Sequence, residues 1–589
     1  MNHALFAGAF AAALVGVSMR PPSPPDASGL RAMVLGARCG PEEGLARRAA
    51  LGELLIGAAA YAQTLPGDMS APPPLMPGLG DAHLAVTTSE PRAQAFFDQG
   101  LRMLHNFNHA EAIRAFKEAQ RLDPQCAMCF WGEAFALGPN INAPMNPADN
   151  EPAFAAARAA EARAADASPL EQALIEAMQV RYLRTAPADR SGLDAAFADA
   201  MHAVAQRFPD SDVALIFAAE AAMDTQPWDY WQGGGREPKG RMGPAIAFIE
   251  TVLARSPDNA GANHLYIHLA EASTNPWRAV RAADRLAPAA PAAGHLVHMP
   301  AHIYYRVGRF RDSMRANIAA SAADEAYIRA ANASPMYQYG YYPHNLHFVL
   351  TSAAMGGDAR TALDYADRLD GALPIEMAAA VPIAQAVKAA PWFARAEFAT
   401  PASVLAAPSP GGSVPLVTGA WRYARGMAHV RAGRLDDARA EAAAIQTLLN
   451  EGDFSLLIDN RVPAREIVDA YRLILLAKAD MAARNYASAI AQLEAAIAIQ
   501  HALPYMEPPY IYYPVRRTLG AAYMLSGQPE RAEMEFLATL IESPNDAYAY
   551  WGLSEARRRQ GDRVGANAAR QMFNQAYMGR RAAVTAYSL

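Results

Sequence analysis

Histidine is the residue type whose distribution points most directly to chemistry in this sequence. The chain has 14 histidines among 589 residues, and seven of them lie between residues 264 and 347. They fall in three short segments, at residues 264–268, 295–302 and 344–347. Neutral imidazole is a common protein ligand for Zn, Cu, Fe and Ni. This concentration predicts a shared site for a transition-metal ion whose identity the residue types do not discriminate.

The spacing of these histidines places them on common helix faces. His264 precedes His268 by four residues, a spacing that puts both rings on one face of a helix. Two imidazoles placed in this way can bind one metal ion from one side. His298 and His302 repeat this spacing further along the chain, each at the same interval from its counterpart. The other members of the set, each three residues from another histidine, are His295, His344 and His347. We expect the two four-residue pairs to face one cavity, with the other three histidines at its rim.

Three interpretations of this histidine set stay open at the level of sequence. The side chains could bind a metal, line a polar groove for an anionic or peptide ligand, or pack and bind water independently. Because the seven histidines recur in phase with one another, metal binding is the favoured interpretation. A reaction would also need an open coordination position and a proton-transfer group. Glu271, one turn beyond His268, is the candidate general base, and it is expected at the rim.

An aromatic segment directly before the histidine region gives a candidate ligand pocket. Its residues are Trp228, Asp229, Tyr230 and Trp231, and glycines follow at 233–235. These side chains could form the wall of a pocket or stack on a ligand. Ordinary aromatic packing beside a loop is an equally good interpretation.

The elements that must position these residues are predicted from a recurring pattern of large and small apolar residues. Near the N-terminus the pattern comprises Phe96, Gly100, Met103, Ala112, Phe116, Ala119 and Pro124. It returns as Leu519, Gly520, Tyr523, Ala532, Phe536 and Pro544, and then again at Ala566. Each block predicts two helices joined by a turn, because small residues let the helices approach and proline ends the second helix. We expect the following residues to be buried between helices: Tyr523, Ala532, Phe536 and Ala566.

This pattern resembles the tetratricopeptide repeat (TPR) family, whose period is about 34 residues. The interval from His264 to His298 and the interval from Ala532 to Ala566 both equal this period. The best units are 93–126 and 513–546, and weaker units fit at 260–293, 294–327, 343–376, 419–452 and 470–503.

The resemblance implies an all-α fold, a right-handed superhelical solenoid of TPR-like helix hairpins with a concave groove. It also implies that the seven histidines, at the second, fifth or ninth position of a first helix, line that groove. Neighbouring helices lie about 8–10 Å apart, so imidazoles from adjacent repeats could converge on one or two shared points and hold one ion or a pair.

The remaining sequence predicts a division into five parts. Residues 1–62 form a leader with a signal peptide, in which 60–62 (Ala-Tyr-Ala) is a cleavage site after a basic and then apolar segment. Residues 63–92 form a Pro-rich linker, 93–397 an N-terminal TPR-like array, 398–416 a second linker and 417–589 a C-terminal TPR array. We expect a mature protein that starts near Gln63 and is periplasmic or secreted by a bacterium. A disordered cytoplasmic tail is the alternative interpretation.

Composition and charge exclude several classes of protein. Hydrophobic residues make up 52% and charged residues 19%, which excludes a largely disordered chain. The net charge of -6 argues against a general nucleic-acid binder, and no apolar run is long enough to span a membrane. Cys126 and Cys129 form a C-x-x-C pair that is open to a local disulfide or to two buried thiols.

Together these features predict an exported TPR protein whose groove carries a histidine-rich site for a transition-metal ion or small ligand. Such a site is compatible with a metalloenzyme and with a non-catalytic carrier or sensor. The expected partner is a small molecule or peptide in the groove. The alternative is a scaffold that binds a peptide or partner protein there. In that case the groove should present Lys, Arg and Asn, whereas the three middle repeats present histidine.

Overall fold

The computed structural model describes residues 73–331, 337–581 and 584–589, with side chains throughout except at residues 330 and 331. The predicted signal peptide and its cleavage site therefore lie outside the described residues. Residues 73–90 of the Pro-rich linker lack regular secondary structure and pack across the N-terminal repeats, whereas its last two residues begin the helix Pro91–His105. The Gly78 carbonyl accepts from the Ala292 N–H at 2.8 Å, and the Gln99 side chain donates to the Pro74 carbonyl at 2.9 Å.

Helices form almost all of the regular structure in the described part of the chain. In chain order the α-helices are Pro91–His105, His109–Leu122, Ala127–Ala136, Asn150–Glu161, Pro169–Met178, Ser191–Arg207, Asp212–Asp224, Met242–Arg255, Ala260–Glu271, Val280–Ala289, Gly294–His298, Pro300–Arg306, Phe310–Ala331, Tyr342–Gly356, Ala359–Ala372, Ile375–Ala380, Pro382–Phe398, Pro401–Ala406, Pro415–Arg431, Leu435–Glu451, Ser455–Asp459, Ala464–Ala482, Tyr486–Ala502, Arg516–Leu525, Pro529–Glu542, Ala547–Arg559 and Arg563–Ala576. Two short strands, Trp231–Gln232 and Glu237–Pro238, pair antiparallel around the three glycines at 233–235.

Consecutive helices pack as antiparallel pairs, and the chain is an all-α solenoid of TPR-like hairpins. Each predicted repeat unit contains such a pair; the unit 93–126, for example, coincides with Pro91–His105 and His109–Leu122. In seven hairpins the residue two positions before the second helix has a positive φ; these residues are Phe107, Gly308, Gly357, Gly433, Arg484, Gly527 and Gly561. The turn geometry is therefore shared, and glycine fills it in five of the seven hairpins because it adopts this backbone without strain.

The pattern of large and small residues works as predicted in both of the best units. Phe116 and Phe536 are fully buried on second helices. A Cβ at Gly520 would lie 2.8 Å from the Phe536 ring, and a Cβ at Gly100 would lie 2.5 Å from the Phe116 ring. Each phenylalanine therefore fills the space that a glycine leaves on the facing helix. The predicted burial is confirmed for all four residues of the C-terminal set: Tyr523, Ala532, Phe536 and Ala566.

The apolar core consists of two clusters that meet near residue 340. One cluster runs from Leu79 to Tyr341 and the other from Tyr339 to Leu589. The predicted linker at 398–416 contains the short helix Pro401–Ala406, and the division of the apolar core lies upstream of it. The histidine-bearing helices lie on both sides of the junction between the clusters. Among the described residues, no helix has both the length and the apolarity that a membrane crossing requires.

Candidate metal centre

Three histidines form a first cluster, which we call the first triad: His264, His268 and His295. The first two lie one turn apart on Ala260–Glu271, and His295 lies at the start of the next repeat, on Gly294–His298. The Nε2 atom of His264 lies 3.0 Å from Nε2 of His268 and 3.1 Å from Nε2 of His295. Nitrogen ligands at 2.0–2.1 Å from a tetrahedral zinc lie roughly 3.3–3.4 Å apart. Small side-chain rotations would therefore bring these atoms to a common ion.

Two aromatic side chains with strained backbones enclose the first triad. The Phe107 ring centroid lies 4.5 Å from that of His264, 5.5 Å from that of His295 and 5.8 Å from that of His268. The Trp228 ring meets His268 edge-on at 4.9 Å. Phe107 has a φ of 51° and Trp228 a φ of 66°. Each such conformation costs on the order of 1–3 kcal/mol in a non-glycine residue and is concentrated at functional sites.

Three further histidines form a second triad: His298, His302 and His344. Pro300 divides the first helix of this repeat into Gly294–His298 and Pro300–Arg306, and the first two members lie on either side of that break. Their Nε2 atoms lie 2.7 Å apart. His344, on Tyr342–Gly356, is half-buried, and its ring centroid lies 4.8 Å from that of His298. The ligand atoms of the second triad all lie within 4.8 Å of one another.

The two triads follow one rule of repeat position. Each takes the fifth and ninth positions of one unit and the second position of the next. His295 and His344 are therefore full members of the triads rather than rim residues, and five of the six triad histidines line one cavity, all except His264. His347, the fifth position of the third unit, lies in neither triad. Its Nε2 atom lies 3.1 Å from the Tyr512 hydroxyl, and burial lowers the pKa of His347 to about 3.

Glu271 lies between the two triads and is fully buried. Its Oε1 atom is 3.4 Å from Nδ1 of His268, and its Oε2 atom is 2.7 Å from Nδ1 of His302. A carboxylate on Nδ1 orients the ring and leaves Nε2 for a metal. Glu271 does not line the adjoining cavity, whereas a general base must reach a substrate proton. The geometry therefore favours a positioning role for Glu271 over the predicted role of general base.

Burial and charge give His302 a protonation state different from that of three neighbouring histidines. Burial lowers the pKa of His264, His295 and His298 well below the usual 6.5, so these imidazoles are neutral at pH 7. Burial alone would also lower the pKa of His302, but the carboxylates of Glu507 and Glu271 outweigh it and raise that pKa to about 9. Without a metal, His302 is therefore an imidazolium held between two carboxylates at neutral pH.

A cavity of about 100 Å³ adjoins the triads and is lined by five of their six histidines. Trp228, from the aromatic segment, lines it together with Asn142, which lies between Ala127–Ala136 and Asn150–Glu161. The other three members of the predicted pocket do not line this cavity. Asp229 pairs with Lys239, and the Trp231 indole donates to the Leu269 carbonyl at 2.7 Å. Tyr230 is fully buried. These three support the Trp228 loop and the helix that carries His268.

Sequence reasoning missed three residues that shape the centre: Phe107, Asn317 and Glu507. Phe107 occupies the turn position that glycine fills in five of the seven hairpins. A large side chain at this position is unusual and could have been recognised from the sequence. Glu507 lies in a Pro- and Tyr-rich segment, residues 504–514, which separates two repeat units. That unusual connection reaches back to contact His302. Asn317 carries no local signal.

Comparison with known proteins finds similar solved structures but does not assign the chain to a family. No protein-family model and no curated protein matches this chain. Similar solved structures include the Cut9–Hcn1 hetero-tetramer of APC/C, at 13% identity over 84% of this chain and 74% of that one, with a TM-score of 0.27. Human IFIT1 with PPP-AAAA is similar at 11% over 80% and 94%, with a TM-score of 0.28. Yeast Tom70 is similar at 11% over 83% and 92%, with a TM-score of 0.27. At such scores the likeness carries no argument about function.

Proposed function

We propose that this chain is an exported TPR-like protein that binds a transition-metal ion through the first triad. The observation that carries the proposal is the convergence of three buried Nε2 atoms, at 3.0 and 3.1 Å, from two consecutive repeats. Imidazole-only donors suit Zn, Cu, Ni or Fe and disfavour Mg and Ca, which prefer oxygen ligands. The Phe107 and Trp228 rings pack against the triad, would shield the ion from water and would strengthen its retention.

Metal analysis of protein purified without an affinity tag tests this proposal. Wild-type protein should retain a transition metal after gel filtration, and His264→Ala should lose the ion held by the first triad. His202→Ala is the matched control, because His202 also lies on a helix but contacts Gln206 and Phe248 far from the groove. Wild-type protein that carries no transition metal, and takes up none from excess Zn²⁺, would end the proposal.

Export is supported by the pair Cys126 and Cys129, which forms a disulfide at the start of Ala127–Ala136. Disulfides persist in oxidising compartments such as the bacterial periplasm and are rare in the cytosol. This agrees with the cleavage site expected before Gln63. We therefore propose that the mature protein works in the periplasm or outside the cell.

A second candidate function, peptide binding, is favoured by the C-terminal groove. A cavity of about 490 Å³ there is lined by first helices of successive repeats, with Phe393, Tyr423 and Arg517 among its walls. Residues 585 and 587–589 of the same chain also line this cavity, and the Lys478 ammonium donates to the main-chain oxygen of Leu589. A groove that already holds residues 584–589 of this chain, which include the 3₁₀ turn Ala586–Ser588, is suited to a peptide of a partner protein.

Displacement of that segment provides the test for peptide binding. Protein lacking residues 584–589 should bind a labelled peptide of that sequence, measured by fluorescence polarisation, and the full chain should bind it at least tenfold more weakly. Lys478→Met should weaken binding to the truncated protein, whereas Lys388→Met, outside this cavity, should not. Equal binding by the full and truncated chains would exclude the groove as the peptide site.

A further inference from the structure

The second triad repeats the arrangement of the first triad one repeat further along the chain. His298 and His302 follow His264 and His268 by one repeat period, and His344 takes the second position of the next unit, as His295 does. We infer that the second triad holds a second transition-metal ion, so that the chain binds two ions in repeat-equivalent sites. This inference rests on the proposed function of the first triad.

A chain of hydrogen bonds directs Nε2 of His298 into the second triad. The amide nitrogen of Asn317 donates to the Ser313 carbonyl at 2.8 Å, which leaves Oδ1 of Asn317 facing His298. Nδ1 of His298 lies 2.6 Å from that oxygen and therefore carries the proton. Nε2 of His298 then presents a lone pair to Nε2 of His302. Metal-binding histidines are oriented in the same way, by an acceptor on the nitrogen that does not bind the ion.

Carboxylates orient the second member of this triad from two different parts of the chain. Nδ1 of His302 contacts Glu271 from the preceding repeat and Glu507 from the segment before the last two hairpins. Both carboxylates lie on the Nδ1 side of the ring, so Nε2 is the atom that remains for an ion. The same Glu271 carboxylate contacts His268, and one side chain therefore orients a ligand in each triad.

Both triads border the cavity. All three members of the second triad line it, and so do His268 and His295 of the first triad, whereas His264 does not. Three histidines leave the fourth position of a tetrahedral ion open, which is the arrangement of catalytic rather than structural zinc. The cavity lining also includes apolar residues, among them Leu373, Ile383 and Val387. The ligand class that fits is a small molecule with an oxygen or nitrogen donor for the ion and an apolar body.

The experiment counts ions in the full chain, with Zn²⁺ as the probe. Metal-free protein is loaded with excess Zn²⁺, desalted and analysed by inductively coupled plasma mass spectrometry, and the folded state is checked by circular dichroism. Wild-type protein should hold two equivalents, and His298→Ala should hold one. His344→Ala, a milder change at a half-buried position, should also reduce the count or weaken the second equivalent at least tenfold. His347→Ala is the matched control and should keep two.

The outcomes separate this inference from the proposed function. One equivalent in wild-type protein that His298→Ala retains and His264→Ala loses would overturn the second site and leave the first intact. Loss of both ions in folded His298→Ala would overturn the assignment of separate ions. No bound Zn²⁺ in wild-type protein would remove both proposals. Two equivalents in wild-type protein and one each in folded His298→Ala and His264→Ala would support two repeat-equivalent sites.

Discussion

Replacing Glu507 with glutamine should lower the pKa of His302 in the metal-free protein. Burial lowers this pKa, and the carboxylates of Glu507 and Glu271 together raise it from 6.5 to about 9. Glutamine keeps the size and position of the side chain but removes one of the two negative charges. The imidazolium would then be held by Glu271 alone in a buried site.

The size and sign of the effect on stability follow from the same shift. Each pKa unit corresponds to about 1.4 kcal/mol, so the shift of His302 is worth on the order of 3 kcal/mol. A pKa that is higher in the folded than in the unfolded protein stabilises the folded state. This contribution is fully present below pH 6.5 and is lost as the pH rises through about 9. Burial lowers the pKa of Lys478 to about 7, which gives the opposite slope in the same range. The informative quantity is therefore the difference between wild type and variant, in which Lys478 cancels.

Urea unfolding of metal-free protein at several pH values between 6 and 10 measures this difference. The stability advantage of wild type over Glu507→Gln should be largest near pH 6 and should shrink by up to about 3 kcal/mol by pH 10. Glu542→Gln is the matched control, because Glu542 lies 3.3 Å from the much more exposed His501, where solvent weakens the pair. A difference that does not change with pH, or His302 resonances that titrate near 6.5 in wild-type NMR spectra, would refute the reasoning.

Four further predictions address the fold, the first triad and the leader. Phe536→Ala should lower the free energy of unfolding by about 3–5 kcal/mol, measured by urea denaturation, because it empties a fully buried site; an effect below about 1 kcal/mol would contradict the burial. Phe107→Gly should relieve backbone strain of on the order of 1–3 kcal/mol while weakening Zn²⁺ binding in competition with a chelator; unchanged affinity would contradict the enclosing role. His268→Ala and His302→Ala should each lose metal but keep the wild-type circular dichroism spectrum, since apolar packing holds the repeats; full metal content in both would contradict the site. N-terminal sequencing of protein from the native host should begin near Gln63, whereas a cytoplasmic protein starting at Met1 would exclude export.

The repeat fold was predictable from sequence because each hairpin carries its own local signal. Phe116 and Phe536 are large residues opposed by glycine on the facing helix, and the same pairing is present in both of these units. A local pattern of this kind depends on nearest-neighbour helices alone, as expected for a solenoid. The division of the apolar core near residue 340 left no comparable signal, because it depends on how distant helices pack.

The sequence indicates which histidines belong to the candidate site, but it does not indicate how they divide into two triads. The offset of one repeat period correctly paired His264 with His268 and His298 with His302, since both pairs repeat within one periodic frame. The inclusion of His295 and His344 depends on the rise from one repeat to the next, which spacing alone does not give. The contact of Glu507 with His302 joins distant parts of the sequence, and Glu507 lies in an irregular segment between repeats.

The histidine triads do not continue into the neighbouring repeats, because two equivalent repeat positions carry residues other than histidine. A triad ending on Ala260–Glu271 would need histidine at the second position of that unit, where Gly261 stands instead. A Cβ there would lie 2.7 Å from the His105 ring, so only glycine fits. A triad starting in the third unit would need histidine at the ninth position, where the buried hydroxyl of Thr351 bonds instead to the His347 carbonyl at 3.1 Å. His347 therefore lacks a second histidine one turn along its helix. His347 instead contacts the Tyr512 hydroxyl. Among the described residues the histidine triads therefore number two, and the second lies at the junction of the two apolar clusters.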